Sequence, residues 1–181
     1  ESRLALVGLA LLVCIATVAL LAPLVSPQDP YDLAQLDIMD SKLAPGEQSP
    51  LGKTYWLGTD DQGRDMLSGI FFGLRISLLV GVSSTVIALA LGLLLGLIAA
   101  YAGGWVDTVI MRVVDIQLSF PAILIALVLL AVLGQGVGKI IFALITVQWA
   151  YYARTVRSAA LVERQKEYIE AARVLALPPG R

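Results

Sequence analysis

Apolar residues fall in long runs broken by compact polar stretches, and this pattern predicts the elements. Leu4 to Val25 is apolar apart from Cys14 and Thr17. At about 1.5 Å per residue, such a helix crosses a hydrocarbon core of roughly 30 Å. Pro23, Pro27 and Pro30 then deny it a continuation, because each lacks an N–H and restricts the residue before it. Ile76 to Tyr101 forms a second run, long enough to cross with tilt. Thr108 to Leu133 forms a third, with Pro121 placed to kink it. Ile140 to Tyr152 forms a fourth, rimmed by the interface aromatics Trp149, Tyr151 and Tyr152. The predicted fold class is all-α, a polytopic membrane helix bundle with four spans.

The interruptions carry the remaining information. Between Ser26 and Phe72, Asp29, Asp32, Asp37, Asp40, Glu47, Asp60, Asp61 and Asp65 stand against only Lys42, Lys53 and Arg64. Within this acidic loop, Leu57 to Asp65 combines a turn at Gly58 with a capping Thr or Asp. Met66, Leu67, Ile70, Phe71 and Leu74 follow at helical spacing, predicting a short amphipathic helix along the interface. In the second run, Ser84, Ala88, Gly92, Gly96 and Ala100 recur every four residues. Small residues on one face let helix backbones approach closely in lipid, so this helix is expected in the protein interior. Gly103-Gly104 breaks the second run from the third. Arg112 and Asp115, three apart, are placed to pair on one helix face near the headgroups, as a clamp rather than a proton relay. Gly134 to Lys139 invites comparison with a phosphate-binding loop, but Leu133 stands where the first glycine is needed and Ile140 where Ser or Thr is needed.

Composition agrees with the pattern: 58% hydrophobic, 15% charged, mean hydropathy +0.82. A soluble domain is about half apolar and a quarter charged. A net charge of −1 with no basic tract argues against nucleic-acid binding. There is no histidine, and Cys14 is the single cysteine, so the commonest general base and metal ligand are missing and no intrachain disulfide exists. No catalytic residue, metal site or bound cofactor is expected in this chain. The start at Glu1 and the stop at Arg181, just after Pro178-Pro179-Gly180, read as those of a fragment. Leu4 to Val25 exceeds the roughly 7 to 15 residues of a signal-peptide core, so an anchor helix is the preferred reading.

Arg154, Arg157, Arg164, Lys166, Arg173 and Arg181 follow the fourth run, Arg112 sits after the second, and Arg3 precedes the first. The positive-inside bias places all of these in the cytoplasm, and the acidic loop outside, with Lys139 alone against the count. The chain divides into the first span (1–25), an external loop with a short interfacial helix (26–75), spans two to four (76–153) and a cytoplasmic helix (154–181). That last stretch, Arg154 to Leu177, is expected as one charged amphipathic helix supported by Glu163 with Lys166 and Glu170 with Arg173. It could lie on headgroups, stand in solvent or insert into a partner's groove. The alanines beside Glu170 favour the partner slightly, since small side chains permit close contact.

Glu170-Ala171-Ala172 resembles the EAA motif of the permease subunits of bacterial ATP-binding-cassette importers, and Leu57 to Asp65 resembles the LGTDxxGRD signature of their dipeptide, oligopeptide and nickel branch. Gly103-Gly104-Trp105-Val106-Asp107, Met111-Arg112-Val113-Val114-Asp115, Phe120-Pro121, Ala153-Arg154 and Val156-Arg157 match in the same order. The resemblance covers nearly the whole chain from Leu4. It implies a multi-pass subunit of the bacterial inner membrane with six helices, the last two beyond Arg181. Its N-terminus and EAA helix would be cytoplasmic. Implied partners are a homologous permease, two cytoplasmic ATPase subunits that bind ATP and Mg, an extracytoplasmic solute-binding protein and the lipid bilayer. Glu170, Ala171 and Ala172, with Tyr168, Ile169, Arg173 and Ala176 beside them, would dock the ATPase. Ala176 stands where the family has glycine. Gly58, Thr59, Asp60, Gly63, Arg64 and Asp65 would form the family's external turn.

The implied function is a permease that couples ATP hydrolysis in its partners to uptake of dipeptides or short peptides. Nickel or another small solute is the alternative within the family. A non-transporting membrane sensor or assembly protein, recruiting a cytoplasmic partner, is the alternative of another class. An ion channel lacks any filter motif in the four runs.

Overall fold

A computed structural model of the chain describes residues 3–175. The described residues contain six α-helices, two short 3-10 turns and no extended strand: α1 (Arg3–Val25), α2 (Met66–Ala102), α3 (Gly104–Ser119), α4 (Ala122–Leu133), α5 (Val137–Glu163) and α6 (Glu167–Val174). They form two compact units, Glu1–Leu79 and Val80–Arg181.

Helices α1 and α2 are each long and apolar enough to cross a membrane, and α3 with α4 makes a third candidate if its 87° bend is one broken span. Pro121 therefore does more than kink the third run. With no N–H to donate, it ends α3 at Ser119 and opens α4 at Ala122. The fourth expected span lies inside α5, which is long enough at 27 residues but is not apolar enough to count as a candidate span, being diluted by Lys139, Gln148, Arg154 and Arg157, so the described residues hold two or three candidate spans rather than four. The chain is a helical, polytopic membrane protein.

Two boundaries differ from the sequence reading. Met66 to Leu74 is no separate interfacial helix but the opening of α2, whose 37 residues extend over roughly 55 Å at about 1.5 Å each. Arg75 interrupts the apolar run, but a charge does not interrupt a helix. The charged stretch after Tyr152 is likewise not one helix: α5 ends at Glu163, and α6 begins at Glu167.

In the first unit the loop between α1 and α2 is irregular but closely tied. Asp40, 3% exposed, accepts the hydroxyls of Ser49 (2.6 Å) and Tyr55 (2.7 Å) through its two carboxylate oxygens. Its carbonyl accepts the Thr59 hydroxyl, and Thr59 Oγ1 in turn accepts the Leu43 amide at 2.9 Å. Buried Gln28 joins the ends of the two helices. Its side chain accepts the Asp65 amide (2.7 Å) and donates to the Gln35 carbonyl (2.7 Å), while its own amide donates to Ser68 Oγ (3.2 Å).

The second unit is built on α5. Val114 of α3 and Ala150 and Ala153 of α5 form its buried centre, with Met111, Leu118 and Trp149 packed around them. On another side of α5 stands the small-residue face of α2, where Ser84, Ala88, Gly92, Gly96 and Ala100 are all buried. A Cβ added at Gly92 would lie 2.4 Å from Tyr152 Cβ and 2.8 Å from the Ala153 nitrogen. One at Gly96 would lie 2.6 Å from the Ala153 oxygen. The two backbones meet because neither glycine has a side chain to hold them apart.

Candidate functional site

Three groups of residues stand out in the sequence, the external turn, the small-residue face and the EAA stretch, and each has a distinct setting. Within the external turn, Gly58 and Gly63 adopt φ of +75° and +73°, which L side chains rarely take. A Cβ at Gly58 would fall 2.4 Å from the Leu43 carbonyl oxygen, and one at Gly63 only 2.0 Å from that of Asp37. Asp60 organises the turn as an acceptor for the amides of Gln62 (2.8 Å) and Arg64 (2.9 Å). Asp65 caps α2: its carboxylate accepts the Ser68 amide at 3.0 Å and the Ser68 hydroxyl, satisfying a first-turn donor. Arg64 lines a cavity of about 280 Å³ with Pro30, Tyr31, Asp60 and Asp65, and its buried Nε has no hydrogen-bond partner. Two carboxylates on the same wall make this a poor place for an anion.

The small-residue face of α2 is the second group, and its partner is α5. A polar tie extends it, since the Arg164 guanidinium at the end of α5 donates to the Ala100 carbonyl near the end of α2.

The third group lies on α6, which follows α5 through the three-residue joint Arg164-Gln165-Lys166. Glu163, the last residue of α5, closes the joint by accepting Lys166 Nζ at 2.8 Å and the Tyr168 hydroxyl. The hydrogen bond to Glu163 holds the Lys166 ammonium and the Tyr168 phenol above their ordinary pKa ranges. Glu170 and Ala171 are exposed on α6, Tyr168 is 56% exposed, and Ile169 is half-buried. Ala172 and Arg173 belong to the same helix by backbone, and their side chains, with the Glu170–Arg173 pair, lie outside the described residues, as does Ala176.

The expected clamp between Arg112 and Asp115 is replaced by a pairing across helices. Asp115 of α3 binds Arg154 of α5, and Asp107 of α3 binds Arg157 of α5 through two guanidinium nitrogens. Further along α3, the Gln117 amide donates to the Thr146 carbonyl, and its oxygen accepts Trp149 Nε1 at 3.0 Å. Sequence spacing exposes only neighbours on one helix, so these pairs were invisible to it. Their one signal was the placement of Arg154 and Arg157 one turn apart just after the apolar part of α5.

Long apolar helices, a third apolar run bent by 87° at Phe120-Pro121, and a short exposed helix jointed to α5 define a class: a polytopic helical membrane protein. The comparisons make this particular. Residues 92–181 match the model of the binding-protein-dependent transport system inner membrane component, and residues 1–45 match that of the N-terminal TM domain of oligopeptide transport permease C. The chain belongs to this family of transport permeases. Among its relatives, the di/tripeptide transport system permease protein DppC of Pseudomonas aeruginosa is 39% identical over 94% of this chain and 55% of its own length. The dipeptide transport system permease protein DppC of Haemophilus influenzae is 34% identical over 96% and 58%, and the oligopeptide transport system permease protein OppC of Bacillus subtilis 34% over 100% and 56%. The chain thus spans a little over half the length of the relatives it matches.

Proposed function

We propose that this chain is part of the permease subunit of an ATP-driven importer of dipeptides or short peptides, and that α6 is where a cytoplasmic ATPase grips it. The observation that carries the reading is the exposure of Glu170 and Ala171 on a short helix held to α5 by Glu163. A carboxylate beside a small side chain offers a charged contact and room for close approach. The relatives that are peptide permeases support the substrate class, through identity across nearly the whole chain.

The reading assigns the remaining roles as follows. A homologous permease pairs with this one in the bilayer, two ATPase subunits bind ATP and Mg, and an extracytoplasmic protein delivers the peptide. The ends of α5 and α6 and the N-terminus face the cytoplasm, where their cations belong by the positive-inside bias, and the acidic loop of residues 26–65 faces outward. Closure of the ATPases on ATP displaces α6, and α5 carries that displacement into the membrane.

The test is ATP-dependent uptake of labelled dipeptide by the complete transporter in lipid vesicles, with nickel as a parallel cargo. Peptide accumulation that requires ATP is expected. Nickel uptake without peptide uptake would contradict the substrate class, and failure of any ATPase to copurify would contradict the role of α6.

A further inference from the structure

We infer that Asp107 and Arg157 are positioning residues for coupling: their ion pair fastens α3 to α5 so that the two helices move as one lever against the break at Phe120-Pro121. This deepens the proposed function and rests on its assignment of α6 as the point where force enters.

Four observations carry the inference. The first is distribution. The two helices are tied near the start of α3 by Asp107–Arg157, further along by Asp115–Arg154, and near the end of α3 by Gln117 to Thr146 and Trp149. Between these ties lies the buried contact of Val114 with Ala150 and Ala153. A helix held at both ends and at its middle cannot slide along its neighbour without breaking every tie, because packed interfaces change in discrete steps.

Burial is the second and ranks the pairs. The Arg157 and Asp107 side chains are 28% and 20% exposed, against 49% and 58% for Arg154 and Asp115. Exposed pairs contribute little, while a partly buried pair is less screened by solvent and loses more when one partner is removed. Arg157 also engages both carboxylate oxygens of Asp107, a two-point contact that fixes orientation as well as distance. Asp107–Arg157 is therefore the tie that matters most.

Third, Arg157 sits at the crossing of three helices. The Gly96 position of α2 faces the Arg157 backbone nitrogen, so α5 is gripped there by a close backbone contact on one side and by the ion pair on another. Last, the rigid part ends abruptly. Beyond Gln117, the Phe120 amide turns back to the Gln117 carbonyl, Pro121 interrupts the helix, and α4 departs at 87° with no buried side chain of its own. The continuous helix that the ties fasten to α5 therefore stops at Ser119, and α4 packs on α5 separately beyond the break.

The experiment uses the full-length permease assembled with its partners, with Cys14 replaced by serine. Asp107→Asn is expected to lower peptide uptake per ATP hydrolysed by roughly tenfold, within the ~5- to 150-fold range of coupling between sites, and the charge exchange Asp107→Arg with Arg157→Asp to restore most of it. Wild-type uptake per ATP in Asp107→Asn, or loss without recovery in the exchange, would overturn the pairing. A cysteine pair at Val114 and Ala150, oxidised to join α3 and α5, provides a test that leaves the polar ties intact. The lever predicts uptake unchanged by oxidation, whereas uptake lost on oxidation and regained on reduction would show that the helices slide. Should the unmodified transporter carry no peptide, the substrate reading fails alone. The lever is then read from spin labels at Thr108 and Ser158, whose separation is expected to stay constant with and without ATP and whose change would overturn it.

Discussion

Asp40 shows how one side chain sets a loop. Its carboxylate is buried at 3% exposure and held by the hydroxyls of Ser49 and Tyr55, so the loop's irregular backbone is fixed by side chains rather than by a sheet. Burial of the Tyr55 phenol, then its hydrogen bond to Asp40, pushes its ionisation well above the usual value of about 10. The folded chain thus keeps a proton that the unfolded chain releases. The stabilisation is complete below about pH 10 and declines as pH rises past it, because there the unfolded state binds fewer protons. Tyr55→Phe leaves Asp40 with one hydroxyl donor and should destabilise the loop by about 1–3 kcal/mol. In ultraviolet titration the wild type is expected to show a late-ionising tyrosine that Tyr55→Phe lacks. Tyr168, raised by its bond to Glu163, titrates late in both, so the difference isolates the loop. Identical titrations would contradict the network. In the sequence, the turn at Gly58 and a capping Thr or Asp were legible from residue type alone, though not that the cap is Asp65. Gln28 and Asp40 were not, because their partners lie 7 to 40 residues away, mostly in irregular chain.

At the scale of elements, the small-residue face of α2 makes the sharpest prediction. Gly92→Ala places a methyl 2.4 Å from Tyr152 Cβ and 2.8 Å from a backbone nitrogen, neither of which yields cheaply. A loss of about 1–3 kcal/mol is expected, as for other overpacked cores. Gly81→Ala in the same helix meets nothing within 4 Å and should be neutral or stabilising by up to about 1 kcal/mol. Thermal unfolding in detergent compares the two, and equal effects would contradict the α2–α5 contact. Period-four spacing disclosed the face but could not disclose which helix fills it. The joint after Glu163 was missed for a different reason: Arg164-Gln165-Lys166 contains no glycine or proline, and all three are good helix formers. The break there accompanies ties outside that run, Arg164 to Ala100 on α2 and Glu163 to Lys166 and Tyr168, which propensity does not register. The opposite error occurred at Arg75, where an apolar run stopped and the helix did not.

For the molecule as a whole, α5 is the element to which the others of the second unit are referred. Its apolar part packs beside α4, its middle is gripped by α2 and α3, and its end carries α6. The cations from Arg154 to Lys166 are paired within the chain: Arg154 and Arg157 on α3, Arg164 on α2, Lys166 on Glu163. Among the described side chains of α6, Glu167, Tyr168, Glu170, Ala171 and Val174 are exposed, and the proposed function rests on Glu170 and Ala171 among them. The direct test is uptake per ATP hydrolysed by the complete transporter in vesicles, comparing wild type with Glu170→Lys and Ala171→Trp. Both variants are expected to assemble in the membrane yet lose at least about tenfold in uptake per ATP, consistent with a coupling free energy of about 1–3 kcal/mol. Wild-type uptake in both would contradict the assignment of α6 as the site where the ATPase takes hold.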